Sequence, residues 1–177
     1  MSCIQNINGI ARDCNANMGG IRKVYIAPYD EGVTLTETDG VITAITLSEG
    51  AGKFMAFNFR EGAADLSHTS QIDNANGTNF MQSVLTMSFA RQDATKRMEI
   101  NALLKGEVMV IVVDNNGKAN FLGKDAPVVA QAGDNGGKGA NKTDANKYDI
   151  ALVDNSLELP LFFSDLSVFA NVVEEVA

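Results

Sequence analysis

Few side chains in this sequence are of a type that does covalent chemistry: it has one histidine and two cysteines. His68 follows Ser67 and precedes Thr69-Ser70 in a polar stretch. A serine beside a histidine in sequence is not a catalytic triad, whose members are brought together by the fold. Cys3 and Cys14 lack any surrounding motif for nucleophilic catalysis. Together with His68 they are too few for a structural zinc site, which wants four Cys or His ligands. The acidic residues are scattered, and no two are marked as a general acid and base. The expectation is a protein with no catalytic residue, no metal and no cofactor.

Two stretches imitate ligand loops and fail in detail. Lys138 follows Gly137, as in a phosphate-binding loop. That loop needs a glycine where this chain has Ala132, and Ser or Thr where it has Gly139. Asp114-Asn115-Asn116-Gly117 resembles a fragment of a calcium loop but lacks the closing bidentate glutamate. Turn formation explains it fully.

The elements that would position any site are read from periodicity. Val108 to Val113 is an unbroken apolar run bounded by turn formers, which predicts a strand buried on both faces. Asn116-Gly117 predicts a type I′ hairpin turn, and Lys118 to Leu122 returns as the partner strand. Earlier strands are expected at Ile21–Ala27, ended by Pro28, at Val41–Leu47, and at Lys53–Phe59 with Met55, Phe57 and Phe59 on a core face. Ser67 to Ile72 reads as a short edge strand, with Asn76-Gly77 as a second hairpin signal. Asn79 to Arg91 is the longest strand candidate. Met81, Leu85, Met87 and Phe89 share one face, and Phe80, Gln82, Val84, Thr86 and Ser88 form a mixed second face. That second face either meets another surface or lies under a helix of the same chain.

One helix is expected, over about residues 93–104, with Asp93 as N-cap and Gly106 as a C′ stop. Its packed side would carry Met98, Ala102 and Leu103, with Ala94 a turn earlier. A short strand at Ala126–Ala130 precedes a long polar loop over about residues 132–146, which has no large apolar side chain. Such a stretch buries too little surface to order itself. Lys147–Val153 is a strand, extended by Leu157–Leu159. The tail from Leu161 to Val173 docks on the core as a short helix or irregular segment. The domain organisation is an extended N-terminal arm, 1–20, and a single β-rich domain, 21–177.

Hydrophobic content of 45% is that of a globular chain. The net charge of −8 argues against tight nucleic-acid binding, because such a surface repels phosphate. No apolar stretch approaches the roughly 20 residues that span a bilayer, so no membrane anchor is expected. The N-terminus does not read as a secretory signal, which places the chain in the cytoplasm with Cys3 and Cys14 as free thiols.

Several short pieces together resemble a family. They are Cys3, Gly9-Ile10-Ala11 and Asp13-Cys14 in the arm, then Gly19-Gly20-Ile21 leading into Val24-Tyr25-Ile26-Ala27. Asp114-Asn115-Asn116-Gly117-Lys118 and Phe121-Leu122-Gly123 follow. Asp144-Ala145-Asn146-Lys147-Tyr148 is similar to an Asp-x-Asn-Gly-Tyr pattern, with Lys147 replacing the glycine. In these the chain resembles tail-tube-like and tail-ring virion structural proteins of tailed phages and prophages of gut Bacteroidales, including crAss-like phages.

The resemblance implies a mainly β, tail-tube-like fold: two packed antiparallel sheets, sandwich or barrel, with one flanking helix. It implies a virion tail protein, assembled in the host bacterial cytoplasm, whose copies close into a ring of roughly six or twelve. Its neighbours would be other tail or portal and connector proteins, and DNA would pass through without specific binding. Candidate self-association residues are Asp134, Lys138, Lys142 and Asp144 in the polar loop, Phe80 and Val84 on the mixed face, and Ile4 and Ile7 in the arm. The competing readings are a monomeric β-sandwich that binds a ligand such as a carbohydrate, and a small hydrolase on a β-scaffold. The first usually presents exposed aromatics, whereas this chain has no Trp and only three Tyr. The second lacks every motif above.

Overall fold

The computed structural model describes residues 9–176. Along the chain, β1 (Ile21–Pro28), β2 (Thr34–Thr38), β3 (Val41–Thr46) and β4 (Phe54–Phe57) come first. The long strands β5 (Ala64–Asp73) and β6 (Thr78–Ala90) follow as a hairpin, then the helix α1 (Ala94–Lys105). Next are β7 (Val108–Asp114), β8 (Ala119–Leu122), β9 (Val129–Ala130), β10 (Gly136–Gly137) and β11 (Lys147–Ser156). The tail adds β12 (Phe162–Phe163), a 3-10 turn at Leu166–Phe169 and β13 (Val173–Glu174).

These strands make two sheets. The larger runs β13-β4-β1-β7-β8-β12-β3-β2, and the smaller runs β10-β11-β6-β5 with β9 also on β11. The fold is therefore mainly β, two packed sheets and one helix. Pairing is antiparallel except where β12 meets β3 and β13 meets β4. The tail is thus more regular than the sequence implies, because it supplies two short parallel strands.

Strand β7 divides the core. Its even residues Val108, Val110 and Val112 face β6, β11 and α1, where Leu85, Met87, Ile150, Leu152, Ile100 and Leu103 pack. Its odd residues Met109, Ile111 and Val113 face a second cluster with Phe54, Phe121, Phe163 and Phe169. The large sheet curls over that second cluster, whose rings meet edge-on, as in Phe121 against Phe163.

Local chemistry corrects several expectations. Asn116-Gly117 does not form a type I′ turn, because Asn116 keeps a negative φ and only Gly117 is positive, at 75°. The Asp114 carboxylate accepts the Lys118 N–H at 2.7 Å, and the Gly117 N–H donates to the Asp114 carbonyl. That closes a longer loop with Gly117 at the left-handed position. The two-residue turn with both φ positive lies instead at Asp39-Gly40, between β2 and β3. In α1, Asp93 does cap Lys96 at 2.9 Å, but the buried residues are Ile100 and Leu103, and Met98 is 67% exposed. Gly106 ends the helix in extended backbone, where a Cβ would meet the Ala102 carbonyl oxygen at 2.9 Å. Close approach requires the glycine, and a positive φ does not. In β4, Phe54 and Ala56 are the buried residues, Phe57 and Phe59 pack partly on the inter-sheet core, and Met55 is 41% exposed. Leu157 and Leu159 do not extend β11 and are exposed.

Candidate functional site

The part of the molecule least explained by its own core is the β5–β6 hairpin. Its register runs from Ala64↔Met87 to Asp73↔Thr78, around a turn that ends in Gly77. At the base, Ala64 and Leu66 of β5 pack with Leu85 and Met87 in the inter-sheet core. Beyond it, the same face carries His68, Ser70 and Ile72, all exposed, with Ile72 at 61%. The hairpin outruns the sheet that it packs on.

β5 is an outer strand. It pairs with β6 on one side and with nothing on the other among the described residues. The Ser88 N–H donates to the Ala63 carbonyl at 2.8 Å just before the strand. Antiparallel alternation then turns the N–H and C=O of Leu66, His68, Ser70 and Ile72 toward the open edge. From Leu66 to Ile72 that edge has no charged residue and no proline, the usual devices that blunt an edge.

The outer face of the hairpin carries Phe80 and Val84, both half-buried. Around them an amide ladder crosses three strands: Gln71 donates to Gln82 at 3.3 Å, and Gln82 donates to Asn155 at 3.2 Å. Phe80 and Val84 are thus apolar islands on a polar, accessible sheet face.

The polar loop is exposed apart from the half-buried Gly136, and it is locally ordered. Gly136-Gly137 pairs with Lys147 and Tyr148, and a Cβ on Gly136 would collide with the Lys147 carbonyl oxygen. Asp134 accepts the Gly136 N–H at 3.0 Å. Asp144 accepts the Asn141 N–H at 2.7 Å and the Ala140 N–H at 2.8 Å, bonds that hold its carboxyl below the usual carboxylate range. Hydrogen bonding orders this stretch where burial cannot. The four candidates there divide: both aspartates are committed to the loop's own backbone, while Lys138 and Lys142 form no ion pair among the described residues. Ile4 and Ile7 lie outside the described residues, as does Cys3. Cys14 is a free, exposed thiol.

One cluster escaped the sequence reading. His68, Ser83 and Asp154 lie opposite one another on β5, β6 and β11, in a row across the inner face. The His68 Nδ1 and Ser83 Oγ are 2.9 Å apart. Asp154 accepts from the Ser156 hydroxyl at 2.6 Å, and its Oδ1 is buried with no partner among the described residues. Burial pushes the Asp154 carboxyl up, opposed by its hydrogen bond from Ser156. Burial also pushes the His68 imidazole down, opposed by the charge of Asp154. In a triad the acid orients the histidine. Here the serine stands between them and is 1% exposed, closed to a substrate. The signal for half of this row was the Asn76-Gly77 turn, which fixes His68 opposite Ser83. Nothing local announces Asp154.

A groove of about 730 Å³ crosses β6 and β11 between Arg60 and Glu61 on one wall and Asp134 and Asn146 on the other. Its lining has no aromatic ring on which a sugar could stack. Among the described residues no group of three or more His, Cys, Asp or Glu could hold a metal ion. No helix among them is long and apolar enough to cross a membrane. No family model matches the chain, and no curated protein or solved structure does either.

Proposed function

We propose that the chain is a ring-forming structural subunit of a bacteriophage tail, either the repeated unit of a tube or a ring of the barrel that joins portal to tail. The observation that carries this reading is the open, uncharged β5 edge on a hairpin that outruns its own core. A long unblunted edge is a template for pairing with another chain. Pairing it with a different surface of the next copy gives a heterologous contact, and such contacts generate rings when the rotation closes. The net charge of −8 supports the same reading, since an acidic lumen repels phosphate and lets DNA slide without binding it. Portal, connector or further tail proteins would cap the stack.

Ser70→Pro tests the edge. Ser70 is exposed and its N–H faces outward, so proline removes a donor from the edge and none from the β5–β6 ladder. The variant is expected to melt as the parent does and to stay monomeric at concentrations where the parent assembles. Unchanged assembly of Ser70→Pro would refute the edge as the contact.

A further inference from the structure

A second surface on the molecule is apolar and uncovered. Between α1 and β4 runs a groove of about 480 Å³, lined chiefly by Met55, Phe57, Phe89, Ile100 and Val176, with Lys96 and Glu99 on its helical wall. Met55 and Val176 are 41% and 54% exposed there. A contiguous apolar surface of this kind, edged by charge, marks a contact with another body.

The chain also carries a segment with the opposite deficit. Every residue from Gly9 to Gly20 is exposed, and Ile10 has no cover at all. In the sequence Ile10 follows Ile4 and Ile7 at intervals of three. Arg12 lies two residues beyond Ile10, and Glu99 offers the opposite charge on the groove wall.

The direction of the arm decides whose groove it fills. Asn116 donates to the Met18 carbonyl and to the Asn17 side chain, both at 2.8 Å, and accepts the Met18 N–H at 2.9 Å. Asn115 donates to the Gly19 carbonyl at 2.8 Å. These bonds lay the arm over the β7–β8 turn. In the large sheet, β7 lies on one side of β1 and β4 on the other. The arm therefore leaves from one flank of β1 while the groove opens on the opposite flank.

We propose that the N-terminal arm of one copy seats in the α1–β4 groove of the next, with Ile10 as an anchor. An arm on one flank and its receptor on the other is the head-to-tail arrangement that a ring needs. The inference rests on the ring reading above and assigns it a second contact, distinct from the β5 edge.

The test is site-directed crosslinking in a Cys3→Ser, Cys14→Ser background. One population carries Ile10→Cys and the other Met55→Cys, both at exposed positions. On mixing and oxidation, a two-chain product is expected on a denaturing gel, and neither population alone should give it. In the unaltered background, Ile10→Asp should raise the concentration needed for assembly by roughly tenfold or more, as loss of one buried isoleucine would. Particles that native mass spectrometry shows to be assembled, yet that give no Ile10–Met55 product, would overturn the arm contact and leave the ring reading standing. A doubly substituted chain that crosslinks only within itself at high dilution would place the arm in its own groove and overturn the proposal. A strictly monomeric parent that gives no product would overturn both.

Discussion

β7 and β5 stand at opposite extremes of one molecule. β7 lies between β1 and β8, and six of its seven residues, Val108 to Val113, are buried, alternately into the two core clusters. β5 is longer, at ten residues, yet only Ala64 is buried, and among the described residues one of its edges meets no strand. Both are well-formed strands, so β-propensity does not separate them. What separates them is the number of sides on which the chain itself supplies a partner. In the large sheet the tail inserts β12 between β8 and β3 and adds β13 beside β4, so that sheet ends on the two-residue β13 and the five-residue β2. The small sheet covers the β11 edge with β9 and β10 and leaves β5 bare. Among the described residues β5 is the longest strand with a bare edge, and the proposed ring contact is placed there.

The contrast can be broken most severely at β7. Ile111 is fully buried, so Ile111→Ala is expected to cost about 2–5 kcal/mol of unfolding free energy. Chemical denaturation checks this. A loss below about 0.5 kcal/mol would deny β7 its central place, since that is the range of surface changes.

A smaller effect, of opposite sign, is expected where the hairpin joins the core. Asp154 has its folded value raised above the ordinary 3.8, so the proton is bound more tightly in the folded state. Its favourable contribution is present below the ordinary value and is lost as pH rises through the folded value. At neutral pH the buried carboxylate is therefore a cost. Asp154→Asn should stabilise there by on the order of 1 kcal/mol, the scale of one badly satisfied buried polar group. The gain should shrink as the pH is lowered. His68 carries the other sign. Its folded value lies below the ordinary 6.5, so its contribution holds above 6.5 and is lost as pH falls through the folded value. Thermal melts of the parent and Asp154→Asn across this window read both. An Asp154→Asn gain independent of pH would contradict the assignment.

The smallest change in stability is expected in the polar loop. Replacing Lys138 and Lys142 with Ala removes side chains that form no ion pair among the described residues, and should move the melt by no more than about 0.5 kcal/mol. The same change should weaken assembly if these lysines meet a neighbouring copy. Trypsin sharpens the point: it should cut near Lys138 or Lys142 in the free subunit and spare the assembled one. Equal cutting in both states would remove the loop from the interface.

What could be read in the sequence follows the same division. The unbroken apolar run at Val108–Val113 and the two faces of Asn79–Arg91 are periodic signals written in neighbouring residues, and both hold in the structure. The Asp93 cap is equally local. The turn at Asn116-Gly117 was misread because the Asp114 carboxylate competes for the Lys118 N–H, and the dipeptide rule ignores that side chain. The packed face of α1 was misread because Met98, Ile100, Ala102, Leu103 and Leu104 nearly surround the helix, so periodicity alone does not choose a face. β10 escaped notice because two glycines have no strand preference, and their pairing is imposed by Lys147 and Tyr148. The His68–Ser83–Asp154 row needed the β6–β11 register, which joins strands far apart in sequence and leaves no local trace.

The central claim is that the bare β5 edge closes copies of the chain into a ring. Native mass spectrometry of the assembled protein, with image averaging of the same particles, tests it directly. The account predicts one closed species with cyclic symmetry, of roughly six or twelve copies, absent from Ser70→Pro. A two-fold dimer joined β5 to β5, or a single copy in the mature particle, would contradict it.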